Sequence, residues 1–156
     1  MKWFALILAL PFLLITGALL LNRPPLLSPP GPLQRLSTYL TTNVAETRLD
    51  HEFPELRPPL IPAGTEQAQE AVLTAVRSLG WQEIQVIDGE VRAVVLSPLL
   101  GFRDDVTVRL EGKAEGTLLN GRSASRVGKG DLAANARHLQ ALFSEVARLV
   151  DMPQAI

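Results

Sequence analysis

The spacing of apolar positions changes along this chain, and each spacing predicts a different secondary-structure element. Between residues 65 and 79, apolar side chains recur every three or four positions, which is typical of an amphipathic α-helix. Thr65 is expected to cap the start of this helix, and Gly80 is the residue type that ends one. From Trp81 onward the spacing becomes two, which indicates β-strands with one buried face.

A β-hairpin is predicted around Asp88 and Gly89, because this dipeptide is typical of a two-residue type I′ turn. A loop of that length places Val86 opposite Val91, so the apolar faces of the two strands coincide.

A polar turn at residues 111–116 separates two further alternating stretches, which predict the third and fourth strands. If this turn is symmetric, Asp104 lies opposite Ser123 on the buried face of the sheet. The same register places Asp105 opposite Arg122 on the outer face, where the two side chains are expected to form an ion pair.

The last helix is predicted from Asp131 to about Val150, with Asp131 as its N-cap. The order helix, four antiparallel strands, helix predicts an α+β two-layer sandwich over residues 65–150, since an antiparallel sheet can bury one face under helices. The inward positions of the fourth strand are small and admit a helix closely: Gly121, Ser123 and Ser125.

Residues 1–22 are predicted to be a transmembrane anchor. Residues 3–21 form an uncharged apolar run flanked by Lys2 and Arg23, and as a helix this run spans roughly 28 Å, close to the hydrocarbon core of a bilayer. A cleaved secretory signal is the alternative, but the run exceeds the usual length and no small-x-small site precedes the prolines. The N-terminal tail is short, so the globular part is expected on the extracytoplasmic side, although the flanking positive charges are nearly tied.

Residues 23–64 are predicted to be a proline-rich stalk and extended arm. The segment 22–32 contains five prolines in eleven residues, which favours a polyproline II spacer. A short helix is predicted over residues 33–40, followed by an extended arm over the domain surface. Residues 151–156 are predicted to be a C-terminal tail.

Composition excludes several kinds of chemistry. The chain has no cysteine, so disulfides, thiolate metal sites and cysteine nucleophiles are absent. Its net charge of −1 and the lack of a surface combining aromatic and basic residues argue against nucleic acid as a partner. The two histidines, His51 and His138, lie far apart in sequence, so no metal site and no cofactor are expected.

The stretch 121–135, GRSASRVGKGDLAAN, concentrates the polar residues of the domain. Glycines and a lysine before a helix suggest a phosphate site, but Ser123 stands where a P-loop requires the glycine five residues before Gly128. A weaker anion or lipid-headgroup site remains, formed by three cations: Arg122, Arg126 and Lys129.

The alternative interpretation of this stretch is structural, and it is favoured because each polar residue then has a partner. In it Asp105 neutralises Arg122, Asp131 caps the last helix, and three side chains satisfy buried polar groups: Ser123, Ser125 and Asn135. Hydrolysis by a serine with His138 and an aspartate is disfavoured, since no nucleophile elbow is present.

Two segments resemble a known family. Residues 122–135 resemble the signature of the domain-of-unknown-function family numbered 1499, and residues 101–105, GFRDD, resemble the stretch before its third strand. The resemblance covers roughly residues 43–147. The matching positions are Phe102, Asp104, Asp105, Arg122, Ser123, Ser125, Arg126, Gly128, Asp131, Leu132 and Asn135.

The chain departs from the family pattern at three positions. Val44 stands where many members have cysteine, Ala133 where glycine is usual, and His138 where arginine is frequent. The resemblance implies a bacterial or plastid protein, commonly with an N-terminal signal or membrane segment, and it implies no established activity.

These features predict a membrane-anchored, non-enzymatic accessory or interaction protein that docks on a larger membrane assembly. Its domain is expected in the periplasm or a lumen, with the bilayer and a membrane protein as partners. The alternative is a small module that binds an anion or anionic lipid headgroup between Arg122 and Asp131. No catalytic residue, metal or cofactor is expected. The structural motif consists of Asp104, Asp105, Ser123, Ser125, Gly128, Asp131 and Asn135.

Overall fold

The computed structural model describes residues 13–97 and 101–151. The elements in chain order are α1 (described over residues 13–22), α2 (Pro32–Thr41), β1 (Val44–Glu46), a 3₁₀ helix (Pro54–Leu56), β2 (Leu60–Ile61), α3 (Thr65–Ser78), β3 (Gln82–Ile87), β4 (Glu90–Leu96), β5 (Arg103–Lys113), β6 (Gly116–Ser125) and α4 (Ala134–Asp151).

The strands form one antiparallel sheet in the order β1-β6-β5-β4-β3, with β2 pairing with another part of β6. The predicted count of four strands is wrong, because the sheet has six. The segment predicted to be an extended arm supplies β1 and β2, which cover the outer edge of β6 and pair backbone groups that would otherwise be open. Strands of two and three residues are too short to show an alternating pattern.

The predicted α+β class is confirmed, because α3 and α4 pack beside each other against one face of this antiparallel sheet. Their apolar side chains meet the inward side chains of β4, β5 and β6 in a core that excludes water. Fully or almost fully buried members of this core are Val72, Val76, Val91, Val106, Val108, Leu119, Leu139, Leu142 and Val146. The opposite face carries charged pairs, including Glu90 with Arg109.

Glycines end the predicted first core helix and form the predicted hairpin. Gly80 has φ 71°, and its N–H donates to Arg77 O at 3.0 Å, which closes α3. Gly89 has φ 78° in the two-residue turn between β3 and β4, and Val86 pairs with Val91 as predicted. Thr65 was predicted to cap α3, but it is the first helical residue, and the side chain caps nothing.

The register of β5 against β6 differs from the prediction by two residues. Lys113 pairs with Gly116, so the strands continue to a two-residue loop instead of ending at a longer polar turn. Asp104 therefore lies opposite Ser125, and Asp105 lies opposite Ala124. A shift of two preserves which face each side chain occupies, so the apolar pattern was compatible with either register.

The predicted polyproline II spacer is instead a series of turns packed on the domain. Within it, Leu26 N–H donates to Pro24 O at 2.8 Å, and Gly31 N–H donates to Ser28 O at 3.0 Å. Leu26 also contacts the hydrophobic core. The stretch between α1 and α2 therefore holds the end of α1 close to the sheet.

Arg35 in α2 binds the stretch between α1 and α2, which we call the linker, to the rest of the domain. Its fully buried guanidinium donates to the carbonyl oxygens of Ser28 and Pro29 at 3.0 and 2.6 Å. It also donates to both carboxylate oxygens of Glu55, at 2.5 and 3.0 Å, and stacks over Phe53 with 4.3 Å to the ring centre. A buried cation is tolerated only with such complete pairing.

Among residues 13–97 and 101–151, no helix combines the length and apolar character needed to cross a bilayer. Residues 1–12 of the predicted anchor, residues 1–22, lie outside the described residues, as does the predicted C-terminal tail apart from Asp151. In the described part of α1, four leucines are exposed: Leu13, Leu14, Leu20 and Leu21.

Gly116 and Gly89 make a matched pair for testing the β5–β6 turn. A Cβ on Gly116 would lie 2.1 Å from Ile61 O, and the residue has φ 147°, whereas Gly89 has open space around it. We expect Gly116→Ala to lower the free energy of unfolding by at least about 3 kcal/mol, because backbone must move. Gly89→Ala should cost about 1 kcal/mol, from its left-handed φ alone.

Urea unfolding of the full chain in mild detergent, followed by circular dichroism, measures both changes. Equal losses for the two variants would show that β2 does not press against this turn.

Candidate functional site

Asp131 caps α4 across two residues in left-handed conformations. Its Oδ1 accepts the N–H of Ala133 and its Oδ2 accepts the N–H of Asn135, both at 2.9 Å. Leu132 and Ala133 have φ 52° and 70°, so regular helix begins only at Ala134, three residues after the predicted start. Burial raises the pKa of Asp131, while the hydrogen bonds from Asn135 and Ala133 oppose that shift.

The strained pair is held by contacts with the N-terminal part of the chain. Leu132 N–H donates to Tyr39 O at 3.0 Å, and Leu132 O accepts from Asn22 Nδ2 at 2.8 Å. Ala133 is almost fully buried, and its positive φ is a conformation that glycine adopts without strain.

A buried polar cluster lies beneath the first turn of α4, centred on the Asn135 amide. Ser123 Oγ donates to Asn135 Oδ1 at 2.5 Å. Asn135 Nδ2 donates to Asn43 O at 2.8 Å and to Ser125 Oγ at 2.9 Å. The small inward residues of β6 make room for this contact, and Gly121 lies directly against α4, where an added Cβ would come within 2.9 Å of Leu139.

The cluster also contains the side chains of a hydrolase triad, but not its geometry. His138 Nδ1 lies 3.5 Å from Ser123 Oγ and 3.7 Å from Asp104 Oδ2, so the serine and the aspartate approach the same ring nitrogen. A triad needs them on opposite nitrogens. Ser123 is fully buried. Burial lowers the pKa of His138, and the Asp104 carboxylate partly opposes this shift.

The predicted ion pair between Asp105 and Arg122 is wrong, because the actual partner of Asp105 is Arg126. Arg126 Nε and Nη2 donate to the two carboxylate oxygens at 2.9 and 2.7 Å. The two-residue change of register moved Arg122 opposite Thr107. Hydrogen bonding from Arg126 is the main cause that lowers the pKa of Asp105, and Arg103 and Arg122 contribute weaker charge effects.

The three predicted ligand-binding cations therefore differ in their surroundings. Arg126 is held by Asp105, whereas Arg122 and Lys129 are exposed and form no ion pair within the described part of the chain. Asn43 Nδ2 donates to Ser125 O at 3.1 Å and to Gly128 O at 2.8 Å, which curls the loop around Lys129 back onto β6.

A cleft of about 350 Å³ opens beside this join, between α2, β1, the 3₁₀ helix and α4. Its lining combines apolar side chains with the polar groups of Tyr39, His51 and Asp131. His51 Nδ1 accepts the Phe53 N–H at 2.9 Å, and burial lowers the His51 pKa. The sequence does not predict that Tyr39 and His51 line a cleft, because only folding of α2 and β1 onto α4 brings the two side chains together with Asp131.

No group of three or more histidine or acidic side chains within residues 13–97 and 101–151 is placed to hold a metal ion. A family model for proteins of unknown function, DUF1499, matches residues 34–146. The chain belongs to the DUF1499 family. No curated protein and no solved structure matches it. The matched range of this DUF1499 member begins inside α2 and includes Arg35, β1 and β2, so the family domain is larger than the predicted 65–150 core.

Replacing Asn135 by alanine tests the buried cluster. The change removes the acceptor of the buried Ser123 Oγ and one of the two donors to Asn43 O, so we expect a loss of about 2–4 kcal/mol in the free energy of unfolding. Asn120→Ala on the outer face of β6 is the control and should cost less than about 0.5 kcal/mol. A small effect at Asn135 would mean that water replaces the amide.

The Arg126–Asp105 pair makes a prediction about pH. The folded pKa of Asp105 is lowered, so its contribution to stability is present above the unfolded pKa and is lost as pH falls through the folded pKa. Arg126→Ala should lower the melting temperature by no more than about 3 °C at pH 7, because both side chains are half-exposed. Below about pH 4 the difference from wild type should shrink.

A double-mutant cycle with Asp105→Asn is the control: the two changes should not be additive at pH 7. Additive changes at that pH would show that the pair is not formed in solution.

Proposed function

We propose that this DUF1499 protein is a membrane-anchored, non-enzymatic accessory protein that docks on a membrane-protein assembly from the extracytoplasmic side. One observation supports this most strongly: the exposed surface of α1, the linker and α2 is rich in leucine and almost free of charge. Between residues 3 and 45 the only charged residues are Arg23 and Arg35, and Arg35 is fully buried.

The leucine side chains of this surface are largely exposed, which is unfavourable in water. Four of them belong to the run at residues 3–21 and the other three to the linker and α2, and large exposed apolar surfaces mark membrane or protein contacts. They are 43–90% exposed: Leu13, Leu14, Leu20, Leu21, Leu27, Leu33 and Leu40. The length of the run at residues 3–21 supports insertion into a bilayer.

We assign the protein partner to α2. Leu33 and Leu40 are seven residues apart and therefore lie on one side of the helix, and the exposed polar side chains between them are uncharged, because the guanidinium of Arg35 is buried. A helix of another membrane protein is the partner that fits such a surface, since small polar and apolar side chains of two helices pack closely. Arg35 and Asn22 hold α2 and the end of α1 at a fixed place on the domain.

The geometry of the buried cluster supports the non-enzymatic part of the proposal. The Ser123 hydroxyl donates a hydrogen bond to Asn135 Oδ1 and has no exposed surface, so a substrate has no route to its oxygen. Ser123 Oγ and Asp104 Oδ2 both approach Nδ1 of His138. In a hydrolase triad the serine faces one ring nitrogen of the histidine and the acid orients the ring through the other, so this arrangement is not a triad.

The second candidate is a module that binds an anion or a lipid headgroup between Arg122 and Asp131. It is supported by the three arginines whose charges act on Asp105: Arg126, Arg103 and Arg122. Arg126 pairs with Asp105 and Arg103 with Glu83, so Arg122 is the member of this group without an ion pair among the described residues, and guanidinium groups suit phosphate oxygens.

A photo-crosslinking experiment in the native membrane tests the proposed docking. A crosslinker at Leu33 should join the chain to one membrane protein, whereas one at Leu49, equally accessible but in the turn after β1, should not. Leu33→Glu with Leu40→Glu should abolish the stoichiometric complex in mild detergent and leave the chain in the membrane fraction.

Three outcomes separate the alternatives. If carbonate extraction released the wild-type chain from the membrane fraction, that result would contradict anchoring. Identical crosslinks from positions 33 and 49 would contradict docking through α2. A monomer that retains lipid, and loses it in Arg122→Gln with Lys129→Gln, would favour the anion-binding module. Protease added outside spheroplasts should remove the domain if it is extracytoplasmic.

A further inference from the structure

The end of α1 and the loop after β6 lie at the same end of the sheet. Asn22 Nδ2, at the last described residue of α1, donates to Leu132 O at 2.8 Å. Asn43 holds the preceding loop against the end of β6 through Ser125 O and Gly128 O. Gly130 packs on the end of α2 so tightly that a Cβ would lie 2.3 Å from Leu40 O. These contacts fix which end of the sheet adjoins the apolar run.

Two large apolar side chains are exposed at this same end. Arg126 N–H donates to Arg103 O at 3.0 Å just beyond the last β5–β6 pair, so Phe102 and Val127, the next residues outward, lie at the same end of the sheet. Phe102 is 47% exposed and Val127 is 64% exposed. Neither is needed to close the core, so both side chains are available for contact outside the domain.

Cationic side chains surround this apolar pair. We name Phe102, Arg103, Arg126, Val127 and Lys129 the sheet tip. Arg103 pairs with Glu83 and Arg126 with Asp105, while Lys129 has no ion pair among residues 13–97 and 101–151. Within the same residues, Arg103 Nε is a buried donor without a hydrogen-bond partner.

Arg23, which follows α1, is a further cation without an ion pair in the described ranges. The tip and the residue after α1 thus supply two cations without an ion pair in these ranges, Lys129 and Arg23, at the end of the sheet that carries the exposed apolar pair. Aromatic and aliphatic side chains enter the headgroup boundary of a bilayer, and arginine and lysine bind its anionic phosphates.

We propose that the sheet tip is a membrane-contact surface that rests in the headgroup region of an anionic bilayer. The inference depends on the proposed anchoring of residues 3–21, because the contact between Asn22 and Leu132 places the tip next to the point where that run would leave the bilayer. A bilayer fits the tip better than a protein partner, since its exposed apolar side chains and its cations lie at the end of the sheet that adjoins α1.

The absence of cysteine makes a site-specific fluorescence test possible. Single variants Phe102→Cys and Val127→Cys carry an environment-sensitive dye in the full chain, reconstituted in nanodiscs of phosphatidylcholine with or without phosphatidylglycerol. Ala114→Cys is the matched control, because Ala114 is exposed in the loop at the other end of β5. Eleven residues of strand place it roughly 35 Å away.

We expect headgroup spin-labelled lipid to quench the dye at positions 102 and 127 several-fold more than at 114, and more strongly with phosphatidylglycerol present. Lys129→Glu should reduce quenching at 127 in anionic nanodiscs, whereas Lys113→Glu, at the far end of β5, should not change it. Equal, low quenching at all three positions in chain that co-elutes with nanodiscs would overturn the tip proposal alone.

Failure of the chain to co-elute with nanodiscs would overturn both the anchoring and the tip contact. Protection of the dye at 102 and 127 only in native membranes, without quenching by lipid there or in nanodiscs, would assign the tip to a protein partner and overturn the lipid assignment.

Discussion

The buried amide of Asn135 is the contact on which the arrangement of this domain depends. It binds β6 through Ser123 and Ser125, and it binds the residue before β1 through Asn43 O. The bond to Ser123 is buried and the other two are partly buried, so loss of the amide leaves polar groups unsatisfied at a substantial cost in free energy. The start of α4, the end of β6 and the entry to β1 are therefore fixed together.

A second buried polar group performs the same role for the N-terminal part. Arg35 joins the linker, α2 and Glu55, and its complete pairing compensates for removing a guanidinium from water. With Asn22 bound to Leu132, these contacts make the region before β1 an integral part of the domain. If residues 3–21 span a membrane as proposed, this attachment sets which surface of the domain faces the bilayer, and the proposals on α2 and the sheet tip depend on that orientation.

The polar stretch 121–135 shows how far local chemistry can be interpreted without the fold. Its capping aspartate and its small inward side chains follow from rules that involve neighbouring residues, and the structure places Asp131 and Gly121 accordingly. The ion-pair partner of Asp105 could not be predicted from these rules. Two registers of β5 against β6 that differ by two residues bury the same apolar face, so the apolar pattern does not distinguish them. The turn between β5 and β6 has two residues instead of the predicted six, and the resulting register gives Asp105 Arg126 as its partner instead of Arg122. Similarly, the cleft at Tyr39 and His51 depends on contacts between distant segments.

By itself, the sequence determined the α+β class, both core helices, four of the strands and the β3–β4 turn, because these depend on periodicity and on glycines with positive φ. Only the tertiary structure decided that β1 and β2 complete the sheet, that the proline-rich linker folds into turns, and that Arg126 binds Asp105. The physical reason is common to all three. Strands of two or three residues, turns and ion pairs have little local preference of their own, and they form where a long strand edge, a buried arginine or a register of the sheet supplies their partners.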